Sequence, residues 1–185
     1  FFFSGMGDDS MRVLLSQRTT VTAAPLVVSE RNGRRALHLG KLMQSEVRLD
    51  AATHAPMLTQ EWELIQVMVL VSYGWLSTKH VQPATHALVV GLGGGNLQST
   101  LHALLPSDSC VHGVELEPEV LAAATRYFGL DLNERCTAEV AEGGEFLKRA
   151  AAAEGQGLYG VIVLDCFTDE GLADSIAGGT ALKNA

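Results

Sequence analysis

Short apolar runs, bounded by polar and turn-forming residues, recur along the first third of the chain, and runs of this kind are typical of β-strands. The runs lie at 12–15, 25–30 and 35–39. Asn32 and Gly33 stand between the last two runs, and this dipeptide is typical of a two-residue hairpin turn. We therefore predict a β-rich entry region over residues 1–58 that contains a small β-hairpin unit.

A helical pattern follows the β-rich region. Thr59 has the residue type of a helix N-cap, and Glu61 places an acid in the first turn. The pattern continues to about Leu76, and apolar residues dominate 64–71. This run contains Gln66 and is much shorter than the ~20 residues that cross a bilayer. The pattern predicts a buried helix and no membrane span.

From His86 onward, apolar strands alternate with helical segments. Strands are predicted at 86–91, 110–116, 135–140 and 160–165, and helices at 95–105, 118–128 and 143–154. Pro118 opens the second of these helices and Gly129 follows its end, which is the usual asymmetry of helix termini. The strand at 160–165 is apolar throughout, as expected when helices cover both faces of a parallel sheet. The alternation predicts an open, doubly wound, mostly parallel α/β sheet over 59–185.

The segment after the fourth predicted strand, Thr168 to Ala185, is rich in Gly and Ala and shows no convincing further strand. Sheets of this class usually continue with more strands, so we expect the Rossmann-like domain to be incomplete at its C-terminal side. An uncovered fourth strand is an edge that can pair with another chain. A homodimer is one expected form of such association.

Four glycines follow the first parallel strand within five residues, at 91, 93, 94 and 95. Glycine tolerates positive φ and lets a ligand approach the backbone closely, and the helix that follows presents free N–H groups at its N-terminus. Nicotinamide, flavin and S-adenosylmethionine sites all use such a strand–turn–helix loop. We expect Gly91, Gly93 and Gly95 to line a cofactor site, with Asn96 beside them.

Acidic residues close, or directly follow, three later strands. Glu115 lies 24 positions after Gly91, where a carboxylate can accept both hydroxyls of an adenosine ribose. Glu142 either accepts from an adenine amino group or begins the next helix as an acid favoured by the helix dipole. Asp165 ends an apolar strand, and burial of an unpaired carboxylate is costly, so we expect this side chain to reach a ligand.

Residues beside these acids extend the predicted site. Leu116 and Gly143 are expected cofactor contacts because each adjoins one of the acids. Glu117 fits the capping of the helix that follows it better than a ligand role. Asp169 is a loop acid of the kind that is most often solvated, and we keep it with Asp165 as a candidate catalytic acid.

The charge balance bears on the partner. The chain has 21 carboxylates against 13 Lys and Arg and a net charge of −8, which argues against nucleic acid as the main partner and suits an amine-bearing substrate better. Three cysteines, Cys110, Cys136 and Cys166, form no C-x-x-C pair. They indicate reduced thiols in a compartment such as the cytoplasm, and we predict no metal site. Because Cys166 adjoins the predicted site, a reactive thiol there is a second interpretation.

Four segments of the chain resemble a known family. They are LVVGLGGGNL at 88–97, GVELEPEVL at 113–121, ATRYFG at 124–129 and YGVIVLD at 159–165. Together they resemble class I S-adenosylmethionine-dependent methyltransferases, in the branch related to spermidine synthases. The resemblance covers most of residues 25–170. It implies that S-adenosylmethionine is the cofactor.

The resemblance also implies roles for single residues. It places the glycine loop on the methionine part of the cofactor, Glu115 on the ribose, Glu142 near the adenine and Asp165 close to the reacting centre. The segment 33–39 is similar to the β-hairpin entry region of polyamine synthases, and it implies that Gln44 reaches the cofactor.

Two departures from aminopropyltransferases favour methyl transfer to an amine, such as a protein lysine or N-terminus. Aminopropyltransferases carry an aspartate in the loop where this chain has Gly94, and an Asp-Ser/Thr-Ser/Thr-Asp-Pro run where it has DCFTDE at 165–170. Aminopropyl transfer in polyamine synthesis stays an alternative. An incomplete, non-catalytic assembly module is another. A nicotinamide dehydrogenase shares the loop and Glu115 but does not explain the acid after the third strand.

Overall fold

The computed structural model of the chain describes residues 10–58, 63–78, 86–152, 159–168, 171–173 and 176. Within them lie an antiparallel four-stranded sheet followed by a parallel four-stranded sheet with helices on both faces. The predicted α/β class with an open, doubly wound sheet and a β-rich entry region is confirmed. The predicted helix start at Thr59 and Glu61 lies outside the described residues.

The antiparallel sheet is a meander in the order β1-β2-β3-β4. Its strands are β1 (Arg12–Arg18), β2 (Pro25–Arg31), β3 (Arg34–Leu39) and β4 (Leu42–Arg48). Asn32 and Gly33 have φ values of 51° and 69°, and two successive positive φ angles are the requirement of a type I′ hairpin turn. The predicted hairpin between β2 and β3 is therefore present.

Strand β4 was not predicted, and it carries an irregularity next to the glycine loop. Gly40, with a φ of 62°, turns the chain from β3 into β4. Leu37 pairs with Ser45 but His38 pairs with Met43, so Gln44 is the extra residue of a β-bulge. Bulges re-aim side chains and are frequent beside functional sites.

The parallel sheet has the order β7-β6-β5-β8. Its strands are β5 (His86–Val90), β6 (Cys110–Glu115), β7 (Cys136–Val140) and β8 (Tyr159–Leu164), and the helices are α1 (Glu63–Leu76), α2 (Asn96–Leu104), α3 (Pro118–Tyr127) and α4 (Gly143–Ala152). Each predicted strand and helix from His86 onward is present within two residues of its predicted bounds. The strand order reverses between β5 and β8, and ligands of open α/β sheets bind in the crevice beside this point.

Alternating side chains of the parallel strands fill two cores on opposite faces of the sheet. Ala87, Val89 and Val111 pack with α1 and α2, while Leu88, Val90 and Val114 pack with α4 and Ile176. Because successive side chains of a strand point to opposite faces, this arrangement requires the continuous apolar runs that the sequence shows.

Helix α3 joins the two sheets. Val120, Ala123 and the adjoining Phe128 pack with a core of the antiparallel sheet that comprises Leu26, Val28, Leu37, Val47 and Leu49. On another side of the helix, Ala124 packs with Leu92 of the glycine loop. The Arg35 guanidinium donates to the carbonyl of Tyr127 at the end of the helix. The antiparallel sheet is thereby held against the carboxyl-end side of the parallel strands.

The prediction that α1 is a buried helix is wrong. Only Ile65 and Ser72 are buried in it, whereas Leu64 is 55% and Leu70 is 71% exposed. One face of α1 packs on α2 and β8, and the other bears apolar side chains that no described residue covers. No helix of the described chain combines the length and the apolar character that crossing a bilayer requires.

The chain beyond the fourth parallel strand also differs from the prediction of no further strand. Two short strands, β9 (Phe167–Thr168) and β10 (Gly171–Leu172), pair antiparallel directly after β8. Among the described residues β8 pairs only with β5. Association through the edge of β8 stays a prediction.

Candidate functional site

The glycine loop lies where β5 ends, at the reversal of the strand order. Gly91, Gly93 and Gly95 have φ values of 91°, 53° and 75°, which are conformations that other residues rarely adopt. A Cβ on Gly91 would lie 2.3 Å from the carbonyl oxygen of Asp165. The loop therefore needs glycine at these positions for its own geometry, and Asn96 begins α2 directly after it.

Glu115 ends β6 and points at the glycine loop. Its Oε2 accepts hydrogen bonds from the N–H groups of Leu92 at 3.1 Å and Gly93 at 3.3 Å, and its Oε1 accepts from the N–H of Glu117 at 3.1 Å. The side chain is 8% exposed. Burial raises the pKa of Glu115, although the backbone donors partly oppose that shift. The acid expected on the ribose thus lies against the loop and holds it.

Asp165 follows β8 on the other side of the reversal. Its backbone N–H donates to the Val90 carbonyl at 2.7 Å, which anchors it beside the start of the loop. Burial raises the pKa of its carboxyl group to about 6. No hydrogen bond to this carboxylate is formed by the described part of the chain, so burial is unopposed. An acid whose pKa is raised by burial at a strand end is a candidate functional residue.

Cys166 lies next to Asp165, after the end of β8. Burial raises the pKa of the Cys166 thiol to about 12, and the charges of Asp165, Glu115 and Glu142 add to that increase. The thiol donates to the Val90 carbonyl at 3.0 Å. Because the thiolate is the reactive form, the raised pKa argues against the interpretation of Cys166 as a reactive thiol.

Glu142 and Gly143 begin α4. The Glu142 carboxylate accepts from the N–H groups of Gly144 at 3.0 Å and Glu145 at 2.8 Å. Of the two roles expected for Glu142, the geometry shows the second, an acid at the N-terminus of the helix. A Cβ on Gly143 would lie 2.6 Å from Val90 Cγ1, and this glycine allows the helix to pack closely on β5. Contact of either residue with an adenine stays a prediction.

The prediction that Glu117 caps α3 is wrong. It occupies the N-cap position but makes no side-chain cap. Its carboxylate is 1% exposed and accepts from the N–H groups of Val21 and Thr22 and from the Thr22 hydroxyl. Burial alone would raise the pKa of Glu117, but these hydrogen bonds, with Thr22 foremost, outweigh it and lower the pKa. Glu117 joins the β1–β2 connection to the parallel sheet.

The remaining predicted residues have diverse positions. Gln44 is half-buried in the bulge of β4, and its carbonyl oxygen lies 3.2 Å from the Cβ position of Gly93. Leu116 is 36% exposed beside Glu115. Asp169 lies outside the described residues.

Strand β4 contributes two hydrogen bonds to the site that no prediction from the sequence included. Ser45 Oγ accepts a hydrogen bond from the Gly94 N–H at 2.8 Å, and Asn96 Nδ2 donates to the Glu46 carbonyl at 3.1 Å. The Gly40-Lys41 dipeptide between two apolar runs was a turn signal that would have found β4. Its contact with the loop has no signal in the local sequence.

The chain is similar to part of known transferases. Over 78 residues it is 42% identical to the bovine (Bos taurus) eEF1A lysine and N-terminal methyltransferase, which is 42% of this chain and 11% of that protein. Over 83 residues it is 36% identical to the polyamine aminopropyltransferase of Vibrio vulnificus strain CMCP6, which is 45% of this chain and 27% of that protein. The chain therefore spans about a tenth to a quarter of the length of these curated relatives. No protein-family model matches it.

Two solved structures share the fold. A probable spermidine synthase of Corynebacterium glutamicum ATCC 13032 has a TM-score of 0.66 at 12% identity, over 89% of this chain and 55% of that one. Human methyltransferase-like protein 13 in complex with SAH has a TM-score of 0.51 at 27% identity, over 65% of this chain and 55% of that one. The resemblance to spermidine-synthase-like methyltransferases, predicted from the sequence, is confirmed for the fold and for part of the chain.

Proposed function

We propose that this chain binds S-adenosylmethionine at the glycine loop and transfers its methyl group to an amine, such as a protein lysine or N-terminus. The observation that carries the proposal is the contact of Glu115 with Leu92 and Gly93, which sets an acid against the loop at the strand reversal. The similarity to a human methyltransferase-like protein solved with SAH supports it.

The proposed binding uses the strand ends in turn. Glu115 accepts hydrogen bonds from the ribose hydroxyls. A carboxylate has about four lone-pair sites and three backbone N–H groups engage it in the present geometry, so one site is open for one hydroxyl and the other hydroxyl shares an oxygen with a loop N–H. The loop backbone faces the methionine part, with Gln44 and Asn96 at its margins. Leu116 and Gly143 border the adenine, near Glu142. These roles rest on residue placement beside one crevice.

In the proposed reaction the cofactor supplies an electrophilic methyl group on a sulfonium, and the protein aligns an amine with it for in-line displacement. The amine must lose its proton before it attacks. Asp165, with a pKa of about 6, is ionised near neutral pH and can accept that proton or hold the amine in line. Asp169 is the second proposed acid for this step. The acidic crevice suits an amine better than it suits nucleic acid.

Position 94 favours methyl over aminopropyl transfer. A Cβ on Gly94 would lie 2.7 Å from Ser45 Cβ, so the loop has no room for the aspartate that aminopropyltransferases carry there. The similarity to a bacterial aminopropyltransferase keeps that activity as the second candidate. Incubation with decarboxylated S-adenosylmethionine and putrescine, followed by mass spectrometry, separates the two: a spermidine product would favour the second candidate.

Isothermal titration with S-adenosylmethionine tests the proposal. Glu115→Ala should weaken binding by roughly 10- to 100-fold, because hydrogen bonds to charged groups contribute about 1.5–3 kcal/mol. Glu145→Ala is the matched control, since Glu145 is an exposed acid on α4 that pairs with Lys148. Equal affinity of wild type and Glu115→Ala would remove the ribose assignment. Absence of a thermal shift with S-adenosylhomocysteine would instead favour the non-catalytic module.

A further inference from the structure

Strand β4 packs directly against the glycine loop at a buried polar contact. Ser45 is 5% exposed, and its Oγ accepts a hydrogen bond from the Gly94 N–H at 2.8 Å. The next residue of the strand, Glu46, accepts through its carbonyl from Asn96 Nδ2 at 3.1 Å. The antiparallel sheet thus contacts both the loop and the first residue of α2.

Gly94 differs from the other glycines of the loop. Gly91, Gly93 and Gly95 have positive φ angles, and Gly94 is not among the positive-φ glycines. Its backbone would accept a side chain, but a Cβ there would lie 2.7 Å from Ser45 Cβ and 2.8 Å from Ser45 Oγ. Ser45 is therefore the main reason that position 94 must be glycine. Phe128 Cδ1, at 3.1 Å, adds a weaker restriction.

Three successive N–H groups of the loop are held by two side chains from distant parts of the chain. Leu92 and Gly93 donate to Glu115, and Gly94 donates to Ser45. A loop fixed in this way does not have to be ordered when a ligand binds, which raises affinity. Loss of the Ser45 hydroxyl would leave a buried N–H without its partner, which is costly.

We propose that Ser45 is a positioning and specificity-determining residue of the cofactor site. Its hydroxyl holds the loop in the conformation that receives the cofactor, and its side chain fills the space that any side chain at position 94 would occupy. The antiparallel sheet then forms part of the cofactor site through Ser45. This inference rests on the proposed function, because it assumes a cofactor on the loop.

Titration of the whole chain with S-adenosylhomocysteine tests the hydroxyl. Ser45→Ala should bind roughly 10-fold more weakly than wild type, the equivalent of one lost hydrogen bond. Ser29→Ala is the matched control, because Ser29 is a 7% exposed serine of the same sheet and pairs with Val13 and Ala36, away from the loop. Both variants remove a buried hydroxyl, and only the first should change affinity under conditions where each is folded.

A double-mutant cycle tests the steric part without relying on a ligand. Gly94→Ala should lower the melting temperature, and the added change Ser45→Gly should restore part of the loss because it removes the 2.7 Å contact. Additive shifts, or an unchanged melting temperature in Gly94→Ala, would overturn the steric role.

The outcomes separate the two proposals. Wild type that binds S-adenosylhomocysteine while Ser45→Ala binds equally well overturns the positioning role and leaves the proposed function intact. Wild type that binds neither S-adenosylhomocysteine nor S-adenosylmethionine overturns the proposed function and the positioning role with it. Weaker binding by both Ser45→Ala and Ser29→Ala would mean that loss of any buried hydroxyl in the antiparallel sheet weakens binding, and this would also overturn the positioning role.

Discussion

The carboxylate of Glu117 accepts a hydrogen bond from the backbone N–H of Thr22 at 2.8 Å, across 95 positions of the chain. Val21 donates to the other oxygen at 3.0 Å. Since the N–H of Glu117 itself donates to Glu115, one continuous set of hydrogen bonds runs from the glycine loop to the antiparallel sheet. The proposed ribose-binding acid is therefore anchored through the same residue that joins the two sheets.

Replacement of Glu117 by alanine should destabilise the fold strongly. Two backbone N–H groups at a part-buried contact would lose their acceptor, and we expect the free energy of unfolding to fall by about 2–4 kcal/mol. Urea unfolding measures this. Glu119→Ala is the control, since the contacts of Glu119 with Thr20, at 3.3 and 3.4 Å, are exposed, and this variant should cost less than about 1 kcal/mol. Equal losses in the two variants would contradict the role of Glu117.

Asp165→Asn should make stability less dependent on pH. Burial raises the pKa of Asp165 from 3.8 to about 6, so its contribution to stability is fully present below about pH 4 and is lost as the pH rises through about 6. Asparagine does not ionise. Near pH 7 we expect the free energy of unfolding of the variant to be higher than that of wild type by about 1–3 kcal/mol, after allowance for solvent screening. The two should converge near pH 4 in urea unfolding, and a constant difference would contradict the prediction.

The proposed proximity of Asp165 to the sulfonium predicts a pH-dependent preference between ligands. S-adenosylmethionine carries a positive charge on sulfur that S-adenosylhomocysteine lacks. As Asp165 ionises around pH 6, the ratio of the two affinities should shift toward S-adenosylmethionine by roughly 10-fold. Isothermal titration at several pH values measures the ratio. Asp165→Asn should give a flat ratio, and a flat ratio in wild type would place the sulfonium elsewhere.

Gly91→Ala should destabilise the chain far more than Gly33→Ala, although both glycines have positive φ. A Cβ on Gly91 would meet the Asp165 carbonyl at 2.3 Å, whereas nothing lies within 4 Å of a Cβ on Gly33. We expect a loss of more than about 3 kcal/mol for Gly91→Ala and about 1–2 kcal/mol for Gly33→Ala. Circular dichroism during urea unfolding gives both values. Similar losses would mean that backbone strain alone, and not the close approach of β8, requires glycine at 91.

The element order of the parallel sheet was predictable because its signals are local. Pro118 at the start of α3 and Gly129 after its end, with a φ of 77°, act through neighbouring backbone atoms. The runs of β5 and β8 are apolar on both faces, so burial between helices is the arrangement that they favour. The prediction for α1 failed because its composition is apolar on more sides than the fold covers.

Local patterns along the chain were enough to predict the glycine loop, the acids at the strand ends and the strand–helix alternation, because these depend on the conformations and periodicities of adjacent residues. Three other features follow from the packing of the folded chain: Ser45 contacts Gly94, Gln44 lies in a bulge, and Glu117 binds Thr22 instead of capping α3. Those contacts join residues that lie far apart in the chain, apart from the bulge, which is set by the pairing of β3 with β4. Their physical origin is the packing of two sheets against one helix, and no local pattern encodes how two sheets meet.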